Sequence, residues 1–479
     1  MFAITHDGFS FKVASDDPRE GIARASEAFR AAFGDGGWTL RPGAIEGEVT
    51  ISVEDAAEGA AAVARGWSAA RRLLRERGIA DVVPTFDVRA RINDELRARF
   101  NRPARDKHWF LKAIGLLPDA GLPTGEGVLI AHPDTGYLDH PALRGARLRR
   151  DLSHDFVEDH ADGVDRPGDD YFGHGTKTAA VIVSDRQPDN ADDVFGVAPG
   201  ASLVPMRVAA SPLHFNYDRV RLALRHAMKI GAQVVSMSLG GPLPDPRLRR
   251  DLREARERGM ILLAAAGNLV PFVVYPAAYS EVICCAAITE DRAPWESSAS
   301  GAAVDIAAPG AGIWTAILEG SPLFTAGTSY ATAITAGIAA LWLETTGGRG
   351  KRGVAVGDAF AADLQASANL PERWDRASFG AGIVDARRLL TQESTAPTSS
   401  RLSSLVSGAL GELGRMARSV AFDARELLQT AEAEADPMAL DELASHLGVL
   451  ASERRVPIEA VPLGDLRQVA SDALRRLLK

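Results

Sequence analysis

Three residues of the chain stand in short motifs and together could perform nucleophilic catalysis. Asp134 lies in HPDTGYLDHP, His174 in FGHGTKTAAVI and Ser329 in AGTSYATAITAG, with spacings of 40 and 155 residues. A serine hydroxyl becomes an effective nucleophile when an imidazole removes its proton. A buried carboxylate can hold that imidazole in the required tautomer and stabilise its cation. The three residue types therefore predict acyl transfer, with Ser329 as nucleophile, His174 as base and Asp134 as the orienting acid.

Two further motifs could bind a reaction intermediate and a substrate. Residues 263–268 read LAAAGN, an apolar strand pattern that ends in Asn268, whose amide could donate to a developing oxyanion. Ser329 opens an apolar helix, which would direct backbone N–H groups at the same oxyanion. Residues 236–241 read SMSLGG, and an extended segment of this kind can pair with a peptide as an added strand. The candidate substrate-binding residues are Ser238, Leu239, Gly240 and Gly241.

The ordered set of motifs resembles the subtilisin-like serine peptidases, or subtilases. D-T-G, G-H-G-T, S-L-G-G, A-A-G-N and G-T-S-x-A follow one another within residues 107–392. The resemblance implies an α/β fold with a doubly wound, mainly parallel sheet, and a serine endopeptidase that forms an acyl-enzyme intermediate without a catalytic metal. It assigns the nucleophile, base, orienting acid and oxyanion donor to Ser329, His174, Asp134 and Asn268. The alternative is a catalytically silent peptide-binding scaffold that retains the subtilase groove.

The sequence departs from the family pattern at three positions. Ala333 stands where proline is usual in G-T-S-x-A-x-P, and Tyr330 follows the nucleophile where methionine is usual. Ala142 follows a His-Pro pair where subtilases often have a calcium-binding aspartate. Because calcium needs six to eight oxygen ligands, we expect no required cofactor, and the acidic loop Asp185–Asp193 is only a weak candidate for calcium.

The region before the catalytic motifs has the pattern of a small separate domain. Residues 1–90 follow the order β-α-β-β-α-β of a split βαβ sandwich. This order resembles the prodomain of many subtilases and implies a zymogen that its N-terminal domain regulates. The predicted strands are Phe9–Ala14, Trp38–Arg41, Glu48–Val53 and Ala80–Phe86, and the predicted helices are Pro18–Phe33 and Ala56–Arg77.

The remainder divides into a linker, a catalytic domain and a helical region. Residues 91–110 are a basic linker, either solvated or used for processing or docking. Residues 111–392 alternate strand and helix patterns, as expected for a parallel sheet flanked by helices. Residues 393–479 form a second linker and helices that we expect to pack on the core or on a protein partner. The predicted catalytic-domain strands are Val128–Ala131, Leu203–Val208, Val234–Met237, Ile261–Ala265 and Val282–Ala287.

Composition excludes several classes of protein. The net charge of −9 argues against a general nucleic-acid binder, and two adjacent cysteines exclude a disulfide framework. We find no pattern of a secretory signal peptide and expect a cytoplasmic protein. Two charge-free runs, Gly259–Ser280 and Gly320–Leu343, contain proline, glycine or hydroxyl residues that suit buried core elements better than membrane spans.

Two other features have predictions of their own. The acidic residues before the His174 motif are expected to form a solvated face, with selection of basic substrates or cation binding as the alternative. The apolar segment Phe272–Val274 is expected to line the wall of the specificity pocket, and the adjacent cysteines to pack in the core. The acidic residues are Asp155, Glu158, Asp159, Asp162 and Asp165.

Overall fold

The computed structural model describes four N-terminal strands and most of residues 100–391. The positions omitted within 100–391 are 117–120, 144–145, 167–171, 186–192, 211–216, 243, 317, 319–323 and 347–352. Positions 23, 27 and 30 are also described, and all three are helical, as predicted for Pro18–Phe33. The predicted helix Ala56–Arg77, most of the loop Asp185–Asp193 and the predicted C-terminal region lie outside the described residues.

The four N-terminal strands form one sheet with the order β2-β3-β1-β4. Strand β3 pairs antiparallel with both β1 and β2, with Phe9 opposite Ile51 and Trp38 opposite Val53. Strand β1 begins seven residues earlier than predicted, because residues 5–8 (THDG) interrupt the alternating pattern on which the prediction rests. The observed bounds are β1 Phe2–Val13, β2 Trp38–Pro42, β3 Glu48–Val53 and β4 Ile79–Ala90.

The catalytic region contains a parallel sheet with the order β12-β11-β10-β9-β5-β8-β6, and β7 also pairs with β8. The chain runs from β5 to β8 on one side and then to β9 on the other, so the order reverses beside β5. In open α/β sheets, ligands bind beyond the carboxyl ends of the strands at such a reversal. The bounds are β5 Leu129–Asp134, β6 Arg147–Leu148, β7 His154–Asp155, β8 Ser202–Arg207, β9 Val234–Met237, β10 Ile261–Ala265, β11 Ile283–Ile288 and β12 Ile306–Pro309.

All five catalytic-domain strands predicted from sequence are present, and the α/β fold class is confirmed. Strand β12 was missed because its sequence, IAAP, is short, alanine-rich and ends in proline, which is a loop pattern. An antiparallel hairpin follows it, formed by β13 (Ala311–Trp314) and β14 (Phe324–Ala326).

Helix α5 is the central helix of the catalytic region. Residues 328–343 are all buried, and the helix contacts β9, β10, β11 and β12. Burial on every side explains why residues 328–343 carry no charge, and β10 lies in the other charge-free run. Within the described residues, none of the helices has the length and apolar character needed to cross a membrane. The helices are α1 Trp109–Ala113, α2 His174–Val183, α3 Asp218–Ile230, α4 Pro246–Glu257, α5 Thr328–Thr345, α6 Ala355–Ser367, α7 Arg376–Phe379 and α8 Ala386–Thr391, with 3₁₀ turns at Pro141–Leu143 and Arg150–Leu152.

The end of the predicted basic linker packs on the catalytic region. The ring of Phe100 meets the ring of Trp295 edge-on, with centroids 5.2 Å apart. The Arg105 backbone N–H and Nε both donate to Glu290 Oε2, at 2.9 and 3.1 Å, and its guanidinium also pairs with Asp291. These contacts favour docking over full solvation for this part of the segment.

Candidate active site

The three residues predicted to do chemistry lie at the ends of core elements. Asp134 is the last residue of β5, His174 the first residue of α2, and Ser329 the second residue of α5. His174 Nδ1 lies 2.7 Å from Asp134 Oδ1. The His174 ring lies 6.4 Å, between centroids, from the ring of Tyr330, the residue after Ser329. The fold therefore brings the three separate motifs together.

Asp134 is a buried carboxylate with partners on both oxygens. Its Oδ1 also accepts the Thr135 N–H at 2.7 Å, and its Oδ2 accepts the Thr178 hydroxyl at 3.4 Å. Burial alone would raise the pKa of this carboxyl, but the facing His174 and the accepted hydrogen bonds leave the pKa of Asp134 below its ordinary value. Asp134 is therefore ionised at neutral pH and can fix a proton on His174 Nδ1.

Two glycines allow the His174 motif to approach the Asp134 motif closely. Gly173 caps α2 with a φ of 76°, a left-handed conformation that favours glycine. A Cβ on Gly175 would lie 2.1 Å from the carbonyl oxygen of Gly136. The G-H-G sequence is thus required by the turn and by the backbone contact, in addition to the chemistry of its histidine.

Asp165 joins these two motifs and was not predicted as a site residue. Its Oδ2 accepts the Thr135 hydroxyl at 2.7 Å and the Gly173 N–H at 2.8 Å, and Thr135 Oγ1 in turn accepts the Gly175 N–H at 3.0 Å. One carboxylate thereby links the turn after Asp134 to the turn before His174. Its sequence position, nine residues before His174 among other acidic residues, carries no signal of this role.

The prediction of a solvated acidic face before His174 is wrong for two of its members. Asp155 and Asp165 are buried, at 0% and 4% exposure, whereas Asp159 remains exposed. Asp155 Oδ2 lies 2.9 Å from Arg207 Nη1, and Glu158 Oε1 lies 3.4 Å from the same atom. A buried arginine of β8, far away in sequence, thus pairs with two of the loop's carboxylates.

Asn268 is held in one orientation beside the start of α5. Its Oδ1 accepts the Thr328 N–H at 2.9 Å and the Thr328 hydroxyl at 3.0 Å, which assigns Nδ2 to the opposite side. The position of an ideal Cβ on Gly327 lies 3.6 Å from Asn268 Nδ2 and 3.7 Å from the Ser329 backbone nitrogen. Two N–H donors, Asn268 Nδ2 and the Ser329 backbone N–H, therefore flank one small volume beside Gly327.

The predicted substrate-binding segment follows directly after β9. The Ser238 hydroxyl donates to the Ser329 carbonyl at 3.0 Å, and the Ser329 hydroxyl lies 3.4 Å from the Ser238 carbonyl oxygen. Gly241 exchanges two backbone hydrogen bonds with Tyr275, at 2.9 and 2.8 Å. Leu239 is buried. The backbone N–H and carbonyl of Gly241 are therefore already paired within the protein.

The wall beside this segment is apolar at Val274. Val273 and Val274 are buried, and a Cβ on Gly240 would lie 2.6 Å from Val274 Cγ2 and from the Tyr275 carbonyl oxygen. The backbone of Gly240 therefore lies directly against this wall. Phe272 is only partly buried.

Comparison with known proteins identifies the family. The model of the subtilase family matches residues 125–354. An intracellular serine protease of Paenibacillus polymyxa is 34% identical over 224 residues, which is 45% of this chain and 67% of that protein. Thermitase of Thermoactinomyces vulgaris is 33% identical over 219 residues, covering 45% of this chain and 75% of that protein. The chain belongs to the subtilase family. It is a subtilisin-like serine protease that acts on protein or peptide substrates.

A solved structure supports the subtilase fold. Fervidolysin from Fervidobacterium pennivorans, described as a keratinolytic enzyme related to subtilisin, matches with a TM-score of 0.59 and 19% identity. The match covers 82% of this chain and 62% of that one. The curated serine proteases among the relatives favour an active subtilase over a silent scaffold.

Tyr330 is the unusual residue of this subtilase site. It is buried, and its hydroxyl accepts the Thr325 hydroxyl of β14 at 3.1 Å. Burial raises the pKa of the phenol, which stays neutral and hydrogen-bonded. The tyrosine thus fills the space between His174 and the β13–β14 hairpin.

The adjacent cysteines of the subtilase are buried in the core. Burial raises the pKa of Cys285 to about 12, so this β11 thiol stays protonated. Among the residues that the structure describes, no group of three His, Cys, Asp or Glu side chains is arranged to hold a metal ion.

Asp165 should make the stability of the subtilase depend on pH. Burial raises the pKa of Asp165 to about 6, although its hydrogen bonds oppose the rise. Because its pKa is higher in the folded state than in the unfolded state, Asp165 adds to the free energy of unfolding. This contribution is complete below the unfolded-state pKa and is lost as the pH rises through about 6. The free energy of unfolding of Asp165→Asn, relative to wild type, should therefore rise by up to about 3 kcal/mol as the pH is raised from 4 to 8.

Denaturant unfolding of both proteins at several pH values measures this difference. The neutral amide keeps an oxygen for Thr135 and Gly173 but loses the acceptor of the Arg166 N–H. That loss does not vary with pH in this range, so the pH-dependent part of the difference reports the charge. A free-energy difference that does not change between pH 4 and pH 8 would contradict the assignment.

Proposed function

We propose that this subtilase is an endopeptidase that cleaves through Ser329, His174 and Asp134. The observation that carries the proposal is the 2.7 Å contact between His174 Nδ1 and the ionised, buried Asp134, with Ser329 at the start of the adjacent helix. In this mechanism His174 Nε2 takes the proton of the Ser329 hydroxyl as Ser329 attacks the scissile carbonyl. Asp134 stabilises the imidazolium that forms and does not itself take the proton.

The negative charge that develops on the carbonyl oxygen would lie between two donors. We assign these donors to Asn268 Nδ2 and the Ser329 backbone N–H, which flank the volume beside Gly327. His174 then gives its proton to the leaving amine, and the acyl-enzyme on Ser329 forms. Water attacks the ester with His174 as base, and Ser329 is regenerated.

The substrate would run as an extended strand beside residues 238–240. Backbone pairing supplies affinity of this kind without demanding one sequence. The wall at Val274 favours an apolar side chain in the neighbouring pocket. Because Gly240 packs against that wall, this glycine is a candidate for both backbone pairing and pocket shape.

Regulation by the N-terminal region is part of the proposal. The sheet order β2-β3-β1-β4 agrees with the split βαβ layout that resembles subtilase prodomains. We therefore propose a zymogen in which this region restrains catalysis. An intracellular location is supported by the intracellular serine proteases of Paenibacillus polymyxa and Bacillus subtilis among the relatives.

Labelling with a fluorophosphonate tests the proposed nucleophile. Wild type should be labelled on Ser329 and Ser329→Ala should not, while Ser367→Ala, a buried serine of α6, serves as the matched control. Intact-mass measurement on the same samples should find a shortened chain only where Ser329 is present, if the zymogen processes itself. Equal labelling of wild type and Ser329→Ala would refute the assignment of the nucleophile.

Asn268 offers a test of the oxyanion site. Asn268→Ala should lower kcat by roughly 10² to 10³ with little change in KM, since the lost donor acts mainly in the transition state. Asn268→Asp keeps an oxygen for both Thr328 hydrogen bonds but replaces the donor by a carboxylate oxygen. It should therefore be at least as impaired. Steady-state kinetics on one peptide substrate measures both variants, and an active Asn268→Asp enzyme would exclude the donor role.

A further inference from the structure

His132 lies behind the catalytic carboxylate and has no part in the mechanism above. It precedes Asp134 by two residues on β5 and its side chain is fully buried. His132 Nε2 lies 3.0 Å from Thr178 Oγ1 and 3.8 Å from Asp134 Oδ2. Asp134 is thus placed between two imidazoles, with His174 at one oxygen and His132 near the other.

The surroundings of His132 select one neutral tautomer. Burial lowers the pKa of His132, although the nearby Asp134 opposes this. Its Nδ1 has no hydrogen-bond partner among the described residues. A proton on Nδ1 would leave a buried N–H unpaired, whereas a proton on Nε2 can be donated to Thr178 Oγ1. His132 is therefore neutral with its proton on Nε2, and the positive end of this N–H lies toward Thr178 Oγ1 and Asp134 Oδ2.

Thr178 connects His132 to the triad. Its hydroxyl lies 3.4 Å from Asp134 Oδ2, and it sits one helical turn after His174 on α2. The same hydroxyl lies 3.1 Å from the His174 carbonyl oxygen and 3.2 Å from the Gly175 carbonyl oxygen. Its single proton is donated to one of these two oxygens or to Asp134 Oδ2 at a time. The chain of contacts runs from His132 through Thr178 to Asp134 Oδ2, on the side opposite the Oδ1 that binds His174.

We propose that His132 is a positioning residue of the catalytic network. Through Thr178 it orients Asp134 and reduces the negative charge on the Asp134 oxygen that faces His174. The proposal rests on the triad assigned under the proposed function. An N–H dipole aimed at one oxygen of a carboxylate draws negative charge toward that oxygen. The other oxygen, which binds His174, then attracts the imidazolium less strongly.

Few other ionisable groups face this network. Asp165 is joined to it through Thr135, and burial raises the pKa of Asp165 to about 6. From β8, the guanidinium of Arg207 lies on Asp155. From α5, Tyr330 is a neutral, buried phenol. Among the described residues, the ionisable groups that act on His132 electrostatically are Asp134 and His174.

Removing the His132 N–H should change the pH dependence of the active site in a defined direction. In His132→Leu, Asp134 loses the opposing dipole and attracts a proton on His174 more strongly, so the acid limb of the activity profile should move to higher pH by about half a unit or more. Loss of orientation should also lower the maximal rate about 10- to 100-fold. A purely structural role would lower the rate without an upward shift of the acid limb.

The rate of fluorophosphonate labelling of the full chain, measured from pH 4 to pH 10, tests the proposal without a known substrate. His132→Gln retains an N–H donor near the position of Nε2 and should restore the acid limb to within about 0.2 pH units of wild type. Thr178→Val removes the connecting hydroxyl and should shift the limb in the same direction as His132→Leu. Ile130→Val, on the same buried strand, should leave the profile unchanged.

The outcomes separate this inference from the proposed function. If wild type is labelled at Ser329 but His132→Leu and Thr178→Val keep the wild-type acid limb, the role of His132 is wrong and the triad stands. The same conclusion follows if His132→Gln behaves like His132→Leu. If wild type is not labelled at all, the triad itself fails. Should His132→Leu not fold, the Gln and Thr178→Val profiles still decide the question.

Discussion

Ser329→Ala is expected to lower kcat by roughly 10⁶, and adding His174→Ala is expected to cost almost nothing more. The hydroxyl and the imidazole act as one unit, because a nucleophile without its base, or a base without its nucleophile, performs no acyl transfer. In subtilisin, removal of either member costs about as much as removal of the whole triad. The residual rate should stem from substrate binding and from the two oxyanion donors near Gly327.

A double-mutant cycle with Ser329→Ala, His174→Ala and the pair measures this coupling. Ser367→Ala, in which a buried hydroxyl of α6 is lost far from the site, controls for the removal of a serine from the core. Thermal unfolding of each variant should remain cooperative. If the fold-losses in kcat of the two single variants multiply, the double variant will be far slower than either single variant. That result would show that Ser329 and His174 do not act in one step.

Asp134→Asn should lower kcat by about 10³ to 10⁴. The two hydrogen bonds on Asp134 Oδ1, from His174 Nδ1 and the Thr135 N–H, both need an acceptor at that position. The asparagine should therefore turn its carbonyl oxygen toward both and keep the proton on His174 Nδ1. The loss then arises from the missing negative charge, which no longer stabilises the imidazolium in the transition state.

The pH profile distinguishes loss of charge from loss of geometry. Without the carboxylate the imidazolium is less favoured, so the acid limb should move to lower pH, opposite to the shift expected for His132→Leu. Asp363→Asn is the matched control, because this buried carboxylate accepts a hydrogen bond from Trp342 Nε1 at 3.1 Å and an amide oxygen can do the same. A rate within tenfold of wild type for Asp134→Asn would contradict the orienting role.

Local patterns in the sequence were enough to predict the elements that hold the site. The apolar runs at Val234–Met237 and Ile261–Ala265 are strands with these limits, since a parallel strand buried on both faces requires a continuous apolar run. The helix start at His174 and the buried helix that begins beside Ser329 were equally readable. Strand β12 was not, because its alanines and proline have no strand propensity of their own and pairing with β11 decides the conformation.

Residue types and local order determine which groups can act here: a hydroxyl, an imidazole, a carboxylate and an amide in motifs that belong to one family. The tertiary structure decides the state of each group, because hydrogen bonding and burial depend on residues that are distant in sequence. Asp165 reads as one more acidic loop residue until the fold buries it against Thr135 and Gly173. His132 reads as an ordinary strand residue until Thr178, 46 residues away, meets its Nε2 beside Asp134.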